Sequence, residues 1–231
     1  MRILISGAGI AGPTLAYWLL RYGFTPTLLE EAPRLRTGGY VIDFWGLGFD
    51  IAEKMGLTKQ LKSVGYSVEE VKLVNSEGKR VGGFSARIFD RLTQGRYVSL
   101  PRGELAASIY RTIEGKVETI FGDRIAGIFE IKDGLQVTFE KSATRTFDLV
   151  IGADGLHSGV RRLVFGEQTR FEKYLGYYVA AFEIPGYRPR DELTYVMYSR
   201  PGMQVARFAM RDDRTLILFV FADRKSTRLN S

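Results

Sequence analysis

The 231-residue chain contains no cysteine and a single histidine, His157. Disulfides, thiolate nucleophiles and iron–sulfur ligation are thereby excluded, and no histidine-built metal site is expected. A chain without disulfides fits a reducing compartment, so a cytoplasmic location is the expectation. Long apolar runs are also missing. Glycines and Pro13 interrupt the opening stretch MRILISGAGIAGPTLAYWLL. No run approaches the roughly 20 residues that cross a bilayer, so neither a signal peptide nor stable membrane insertion is expected. No block of five like charges occurs. The 33 Lys and Arg are mixed with 26 Asp and Glu, and the net charge of +7 reads as a solvated surface with a few ligand-binding arginines. A nucleic-acid partner would need a concentrated basic stripe, and none is expected. GxSxG is absent, which excludes a serine elbow. The pairs Glu30-Glu31, Glu69-Glu70 and Asp212-Asp213 are adjacent in sequence and are not spaced as an acid/base couple.

What is present is globular in composition, 45% hydrophobic and 26% charged. Arg2–Ser6 reads as a short buried strand. A helix should follow, with Ala11, Leu15, Trp18, Leu19 and Tyr22 on its apolar stripe and Gly23 near its end. Pro26–Glu30 then completes a βαβ unit. A strand VIDF and two helices, around Leu47–Met55 and Thr58–Val64, come next. Ser67–Val74 and Arg80–Phe84 pair as a hairpin across NSEG. The strand Tyr97–Leu100 leads into a helix with Pro101 in its first turn. Val117–Phe121, Ile125–Ile131 and Leu135–Phe139 are expected to form a meander. Asp148–Ile151 is again short and buried, before a glycine-rich turn and a helix near Ser158–Val164. Four antiparallel strands close the pattern: Tyr177–Ile184, Leu193–Tyr198, Gln204–Met210 and Thr215–Phe221.

Two motifs carry chemistry. The first is GAGIAG, in which Gly7, Ala8, Gly9, Ile10, Ala11 and Gly12 link the first strand to its helix. Gly7 permits the tight turn, Gly9 lets a pyrophosphate approach the backbone, and Gly12 allows close helix–strand packing. The helix N-terminus offers free N–H groups to the phosphates. Glu30 closes the second strand 18 residues after Gly12, placed to accept hydrogen bonds from an adenosine ribose. The second motif is DLVIGADGLHSGVR, Asp148 to Arg161, with Asp154-Gly155 at the tip of a turn.

With that second motif the chain resembles the group A flavoprotein monooxygenases, the para-hydroxybenzoate hydroxylase-like family. Gly152, Ala153, Asp154, Gly155, Ser158, Val160 and Arg161 match the family's GADGxxSxVR pattern. The resemblance implies FAD as cofactor, NADH or NADPH as co-substrate, and Asp154 and Gly155 near the FAD pyrophosphate and ribose. It also assigns Arg102, in RYVSLPRGEL, to the flavin nucleotide, and Arg36, in the loop Glu30–Gly46, to FAD. In that loop Gly38 and Gly39 would let backbone pass close to a ligand. Asp43, Phe44 and Trp45 have two readings, beside the flavin ring or in aromatic packing between two domains. His157 sits at a variable position and is given no catalytic role; no catalytic side chain is assigned.

The implied fold is α/β, a glutathione-reductase-like FAD-binding domain of parallel sheet plus β-meander. A mostly antiparallel β-sheet substrate domain is interleaved with it. Residues 1–66 and 97–170 are expected to form the FAD-binding domain, and 67–96 and 171–223 a partial substrate domain. Arg224–Ser231, RKSTRLNS, loses all pattern and reads as a non-native tail. Family members continue with a Gly-Asp motif and a helix facing the flavin, so a C-terminally incomplete chain is expected. The implied reaction is FAD reduction by NAD(P)H, O2 addition giving a flavin C4a-hydroperoxide, and oxygen transfer to an aromatic or polyketide-like small molecule. The protein's part is binding, orientation and exclusion of water. Ile10–Glu30 and Tyr177–Tyr187 resemble tetracycline-inactivating monooxygenases, which suggests polycyclic phenols as substrates. The alternatives are a FAD-dependent reductase of the same fold and an inactive fragment of such an enzyme.

Overall fold

The computed structural model describes residues 1–36 and 38–223. The expected tail, Arg224–Ser231, lies outside the described residues. Two compact units emerge from the contacts, Met1–Thr37 with Gly103–Lys173, and Gly38–Arg102 with Tyr174–Ser231.

In chain order the strands and helices begin β1 (Arg2–Ser6), α1 (Ala11–Arg21), β2 (Thr25–Glu30), β3 (Val41–Trp45), α2 (Gly46–Lys54) and α3 (Thr58–Val64). They continue with β4 (Glu70–Val74), β5 (Arg80–Ser85), α4 (Arg87–Leu92), β6 (Tyr97–Pro101), α5 (Arg102–Tyr110) and β7 (Glu118–Phe121). Next come β8 (Ile125–Ile131), β9 (Gly134–Phe139), β10 (Arg145–Phe147), β11 (Leu149–Gly152) and α6 (Gly159–Phe165). The last four strands are β12 (Tyr177–Pro185), β13 (Thr194–Arg200), β14 (Met203–Ala209) and β15 (Arg214–Ala222).

The first unit is built on a parallel sheet in the order β11-β1-β2-β7. Ile3, Leu4, Ile5, Leu28 and Leu29 are almost fully buried, as the unbroken apolar runs of a two-sided sheet require. Helix α1 covers one face. Pro13 falls in its first turn, where no helical partner for an N–H is needed. The helix ends where the Tyr22 N–H closes back on Trp18 and Leu19 and Gly23 turns at φ +78°. Its buried face differs from the expected stripe. Gly12, Pro13 and Ala16 are buried, Leu15, Leu19 and Leu20 pack partly against them, and Tyr22 stays 74% exposed. Small residues let the helix close on the sheet, and large side chains are displaced to the flanks. Antiparallel strands β8, β9 and β10 form a second sheet, packing Val137, Phe139 and Phe147 against Leu4 and Leu29.

The expected meander is corrected at one strand. Val117–Phe121 leaves it, because β7 runs parallel to β2 with Thr27 opposite Glu118, and β10 takes the third place. Pro101 also sits otherwise than expected: it ends β6 opposite Val41, and the helix begins one residue later at Arg102.

The second unit holds a six-stranded sheet in the order β12-β15-β14-β13-β4-β5 and the pair β3-β6. The four closing strands are antiparallel to one another, while β13 and β4 pair in parallel. Tyr66, Val68, Ala86, Phe208, Met210 and Leu216 form its core. By contact, residues 38–66 and 97–102 group with this unit, whereas the sequence reading placed them in the FAD-binding half. The reason is local: β3 pairs with β6, the Tyr66 N–H donates to the Ser99 carbonyl, and the Tyr66 ring meets Phe208 edge-on at 5.2 Å.

Candidate functional site

In an open parallel sheet, ligands bind beyond the carboxyl ends of the strands, where the connections diverge to opposite sides. Here β1 lies between β11 and β2, so its C-terminal turn is flanked by the ends of both. The Gly7 N–H donates to the Leu29 carbonyl at 2.7 Å, and the Ala153 N–H donates to the Ser6 carbonyl at 2.7 Å. These two bonds clamp the turn from either side. Gly7 has φ +107°, and a Cβ there would lie 2.4 Å from the Ala153 carbonyl oxygen. A Cβ on Gly12 would lie 1.9 Å from the Gly7 carbonyl oxygen. Both glycines are therefore required by backbone packing at this turn.

Glu30 and Asp154 close the two sides. The Glu30 carboxylate accepts from the Ala8 N–H at 2.8 Å and the Ala32 N–H at 2.9 Å, tying the glycine turn to the end of β2. One Asp154 oxygen accepts from the Val160 N–H at 3.1 Å and from the Ser6 hydroxyl at 3.5 Å. The other, Oδ1, is buried without a hydrogen-bond partner. The N–H groups of Gly9, Ile10, Ala11 and Gly12 likewise have no acceptor among the described residues. The structure places Gly7–Gly12, Glu30 and Asp154 around one turn. Gly155 turns the chain at φ +80°, and Ser158 then caps α6, accepting from the Arg161 N–H at 3.0 Å.

The two predicted arginines stand differently. Arg36 is exposed in the loop after β2, and Arg102 opens α5, its N–H donating to the Tyr40 carbonyl at 3.1 Å. Neither guanidinium has a partner among the described residues. Gly39 lies against Arg102, 3.7 Å from its Cβ to a Cβ built on the glycine.

Sequence reasoning did not anticipate an array around Asp43. Its carboxylate accepts from the Tyr97 hydroxyl at 2.7 Å and the Ser99 hydroxyl at 2.6 Å, and Ser99 is fully buried. Burial raises the Tyr97 phenol well above its usual value; the Ser99 hydroxyl lowers it, and Asp43 adds to the rise. Tyr195 is raised in the same direction, by burial and then by the Asp43 charge. The partners sit on β3, β6 and β13, so no local pattern announced them. Phe44 packs on Phe49 of the same unit at 6.1 Å, while Trp45 remains 61% exposed.

Asp123 has a structural role. It is buried, and its carboxylate accepts from the N–H groups of Arg124 at 2.8 Å, Lys141 at 3.1 Å and Ser142 at 2.8 Å. Burial pushes its carboxyl up, but the hydrogen bonds from Ser142, Arg124 and Lys141 outweigh this and hold it below the ordinary range. The exposed His157 ring lies 3.2 Å from Glu172. A cavity of about 430 Å³ lies at the opposite end of the sheet, lined by Arg2, Thr25, Glu118 and Arg145. It adjoins the amino ends of β1, β2 and β7, away from the glycine turn. Among the described residues, no helix is long and apolar enough to cross a membrane.

The fold and this turn define a dinucleotide-binding α/β protein. The chain belongs to the FAD binding domain family, which matches residues 1–230. It is 38% identical to an uncharacterised protein of Mycobacterium tuberculosis over 194 residues, 82% of this chain and 51% of that protein. It is 35% identical to a flavin-dependent monooxygenase of Legionella longbeachae over 187 residues, 81% of this chain and 48% of that protein. Among solved structures, tetracycline destructase Tet(55) superposes with a TM-score of 0.82 at 31% identity, covering 95% of this chain and 55% of that one. The chain spans about half the length of the curated relatives it matches.

Proposed function

We propose that this chain binds FAD at the Gly7–Gly12 turn and forms part of a monooxygenase that uses NADH or NADPH and O2 to hydroxylate an aromatic or polyketide-like small molecule. The observation that carries the binding is the unsatisfied Asp154 Oδ1 beside a turn whose glycines leave no room for side chains. A buried acceptor without a donor costs about 1–3 kcal/mol, and a hydroxyl of a bound nucleotide would relieve it. The free N–H groups of Gly9 to Gly12 suit a pyrophosphate at the start of α1, and the helix dipole adds attraction. Glu30 keeps lone pairs beyond its two backbone bonds, and these would accept from ribose hydroxyls. The unpaired guanidinium of Arg36, in the same unit as the turn, would supply positive charge to the nucleotide, and for Arg102 that role rests on the family resemblance alone. These residues fit FAD.

FAD, when bound, supplies the redox chemistry, taking electrons from the nicotinamide and activating O2. The chain's contribution is to hold the nucleotide and orient it. The monooxygenase relatives and the tetracycline destructase likeness support the reaction class, and a polycyclic phenol is the substrate class proposed. The reading is tested by incubating the purified chain with FAD, desalting, and recording the absorbance spectrum. Near-stoichiometric flavin bands are expected, and a folded but colourless chain would overturn binding by these residues. With flavin retained, NAD(P)H oxidation that consumes O2 and yields a hydroxylated phenol supports the monooxygenase. Oxidation that reduces the phenol without incorporating oxygen would replace it with a reductase.

A further inference from the structure

The turn between β7 and β8 carries a buried carboxylate that does not itself reach the glycine turn. Asp123 is only 4% exposed, a place a charge tolerates only when its hydrogen bonds are made. Its Oδ1 accepts from the N–H groups of Arg124 and Lys141, and its Oδ2 from that of Ser142. The β7–β8 turn is thereby pinned to the connection between β9 and β10. The Lys141 ammonium adds a second clasp by donating to the Gly122 carbonyl.

The same turn grips the end of β2. The last pair in the β2–β7 register sets Glu30 opposite Phe121, and beyond it the chain leaves the sheet. There the Gly122 N–H donates to the Ala32 carbonyl at 2.9 Å, and the Asp123 N–H to the Glu30 carbonyl at 3.3 Å. Glu30 is thus held by its backbone from one side, while its carboxylate spans the N–H groups of Ala8 and Ala32. On the outside, Arg124 pairs with Glu31 at 3.4 Å and with Glu140 at 2.7 Å. All three side chains are exposed, and ion pairs of that kind contribute little. The buried carboxylate therefore decides where the turn sits. Every residue in this chain of contacts belongs to the first unit.

We propose that Asp123, with the Lys141 ammonium, is a positioning residue for the nucleotide: it fixes the Gly122–Asp123 backbone, which in turn aims the Glu30 carboxylate at the ribose. This rests on FAD occupying the Gly7–Gly12 turn, where Glu30 would accept from ribose hydroxyls. Each Glu30 oxygen already accepts one N–H, so its remaining lone pairs face a narrow range of directions. Hydrogen bonds weaken steeply as they bend, and one to a charged acceptor is worth roughly tenfold in affinity. A small displacement of the strand end is enough to lose it.

Asp123→Asn keeps the shape of the side chain and turns an NH2 toward a backbone N–H. In the flavin-free variant the N–H groups of Ala8 and Ala32 should exchange with solvent about tenfold faster, relative to those of the buried strand β1. A carboxylate that only stabilised the fold would not single out those two, and an unchanged ratio overturns the proposal. FAD titrated into the folded variant should bind about tenfold more weakly than to the parent. Glu30→Gln should also weaken binding, and adding Asp123→Asn to it should cost less than about twofold more, because one change acts through the other. Full additivity, or unchanged affinity in a destabilised Asp123→Asn chain, overturns the proposal. A parent chain that binds no FAD rejects the flavin reading instead, and the exchange rates then decide whether Asp123 places Glu30. Should Asp123→Asn fail to fold, Lys141→Met removes the second clasp at an exposed side chain. About threefold faster relative exchange at Ala8 and Ala32 is then expected, and no change overturns the proposal.

Discussion

Gly12→Ala tests whether the glycine turn is a packed object or a flexible loop. The new Cβ would begin 1.9 Å from the Gly7 carbonyl oxygen and 3.2 Å from Leu28 Cδ1, and real Cβ contacts stay beyond about 3.0 Å. Something must retreat by roughly 1.1 Å. The turn cannot, because Gly7 is bonded to Leu29 and already lies against the Ala153 carbonyl. The helix must move instead, opening the contact of the fully buried Ala16 with the sheet. Overpacking of this kind costs about 1–3 kcal/mol, and helix propensity returns at most about 1 kcal/mol when glycine becomes alanine. The expected outcome is a loss of about 2 kcal/mol in urea unfolding followed by tryptophan fluorescence, together with weaker flavin retention. Gly159→Ala is the control, since its Cβ would meet only Asp154 Oδ2 at an ordinary 3.7 Å, and its unfolding midpoint should not fall. A Gly12→Ala chain as stable as the parent would refute the reasoning, because propensity alone predicts that result.

Three further outcomes follow from the same geometry. Asp123→Asn should cost about 1–3 kcal/mol at neutral pH, since an amide cannot replace a carboxylate that accepts three backbone N–H groups. Because the folded carboxyl lies below its unfolded value of about 3.9, its stabilisation is full above that pH and is lost as pH falls through the folded value. Parent and variant should therefore converge in acid, and a difference independent of pH between neutral and acid would contradict this. Asp154→Ala should reduce retained FAD at least tenfold while lowering stability by only about 1 kcal/mol, read by absorbance and urea titration. Undiminished flavin would remove Asp154 from the site. Arg211→Ala should cost about 2–3 kcal/mol, because its guanidinium donates to the Val64 and Gly65 carbonyls and stacks 4.4 Å from the Tyr66 ring. An unchanged unfolding midpoint would show that Arg211 does not brace this end of the sheet.

Much of the fold was legible because its signals are local. Apolar runs named β1, β2 and β11, and the glycines and the Asp154-Gly155 turn named the ends where a nucleotide would sit. Gly7 and Gly12 were readable because a backbone collision leaves a residue type behind it. What tertiary structure decided was which distant segments meet. That β11 lies beside β1, so that Asp154 and Glu30 flank one turn, depends on pairing across more than a hundred residues. Strand β7 carries the same short pattern as its neighbours, yet its pairing with β2 takes it out of the meander. The buried face of α1 follows Gly12 and Ala16 because close approach to the sheet rewards small side chains, which a hydrophobicity pattern does not register. Asp43, Tyr97 and Ser99 form one hydrogen-bonded group across β3 and β6, and their spacing in sequence follows no helical or strand period. Local sequence determines what each segment can become, and long-range pairing determines which polar atoms are left facing one another.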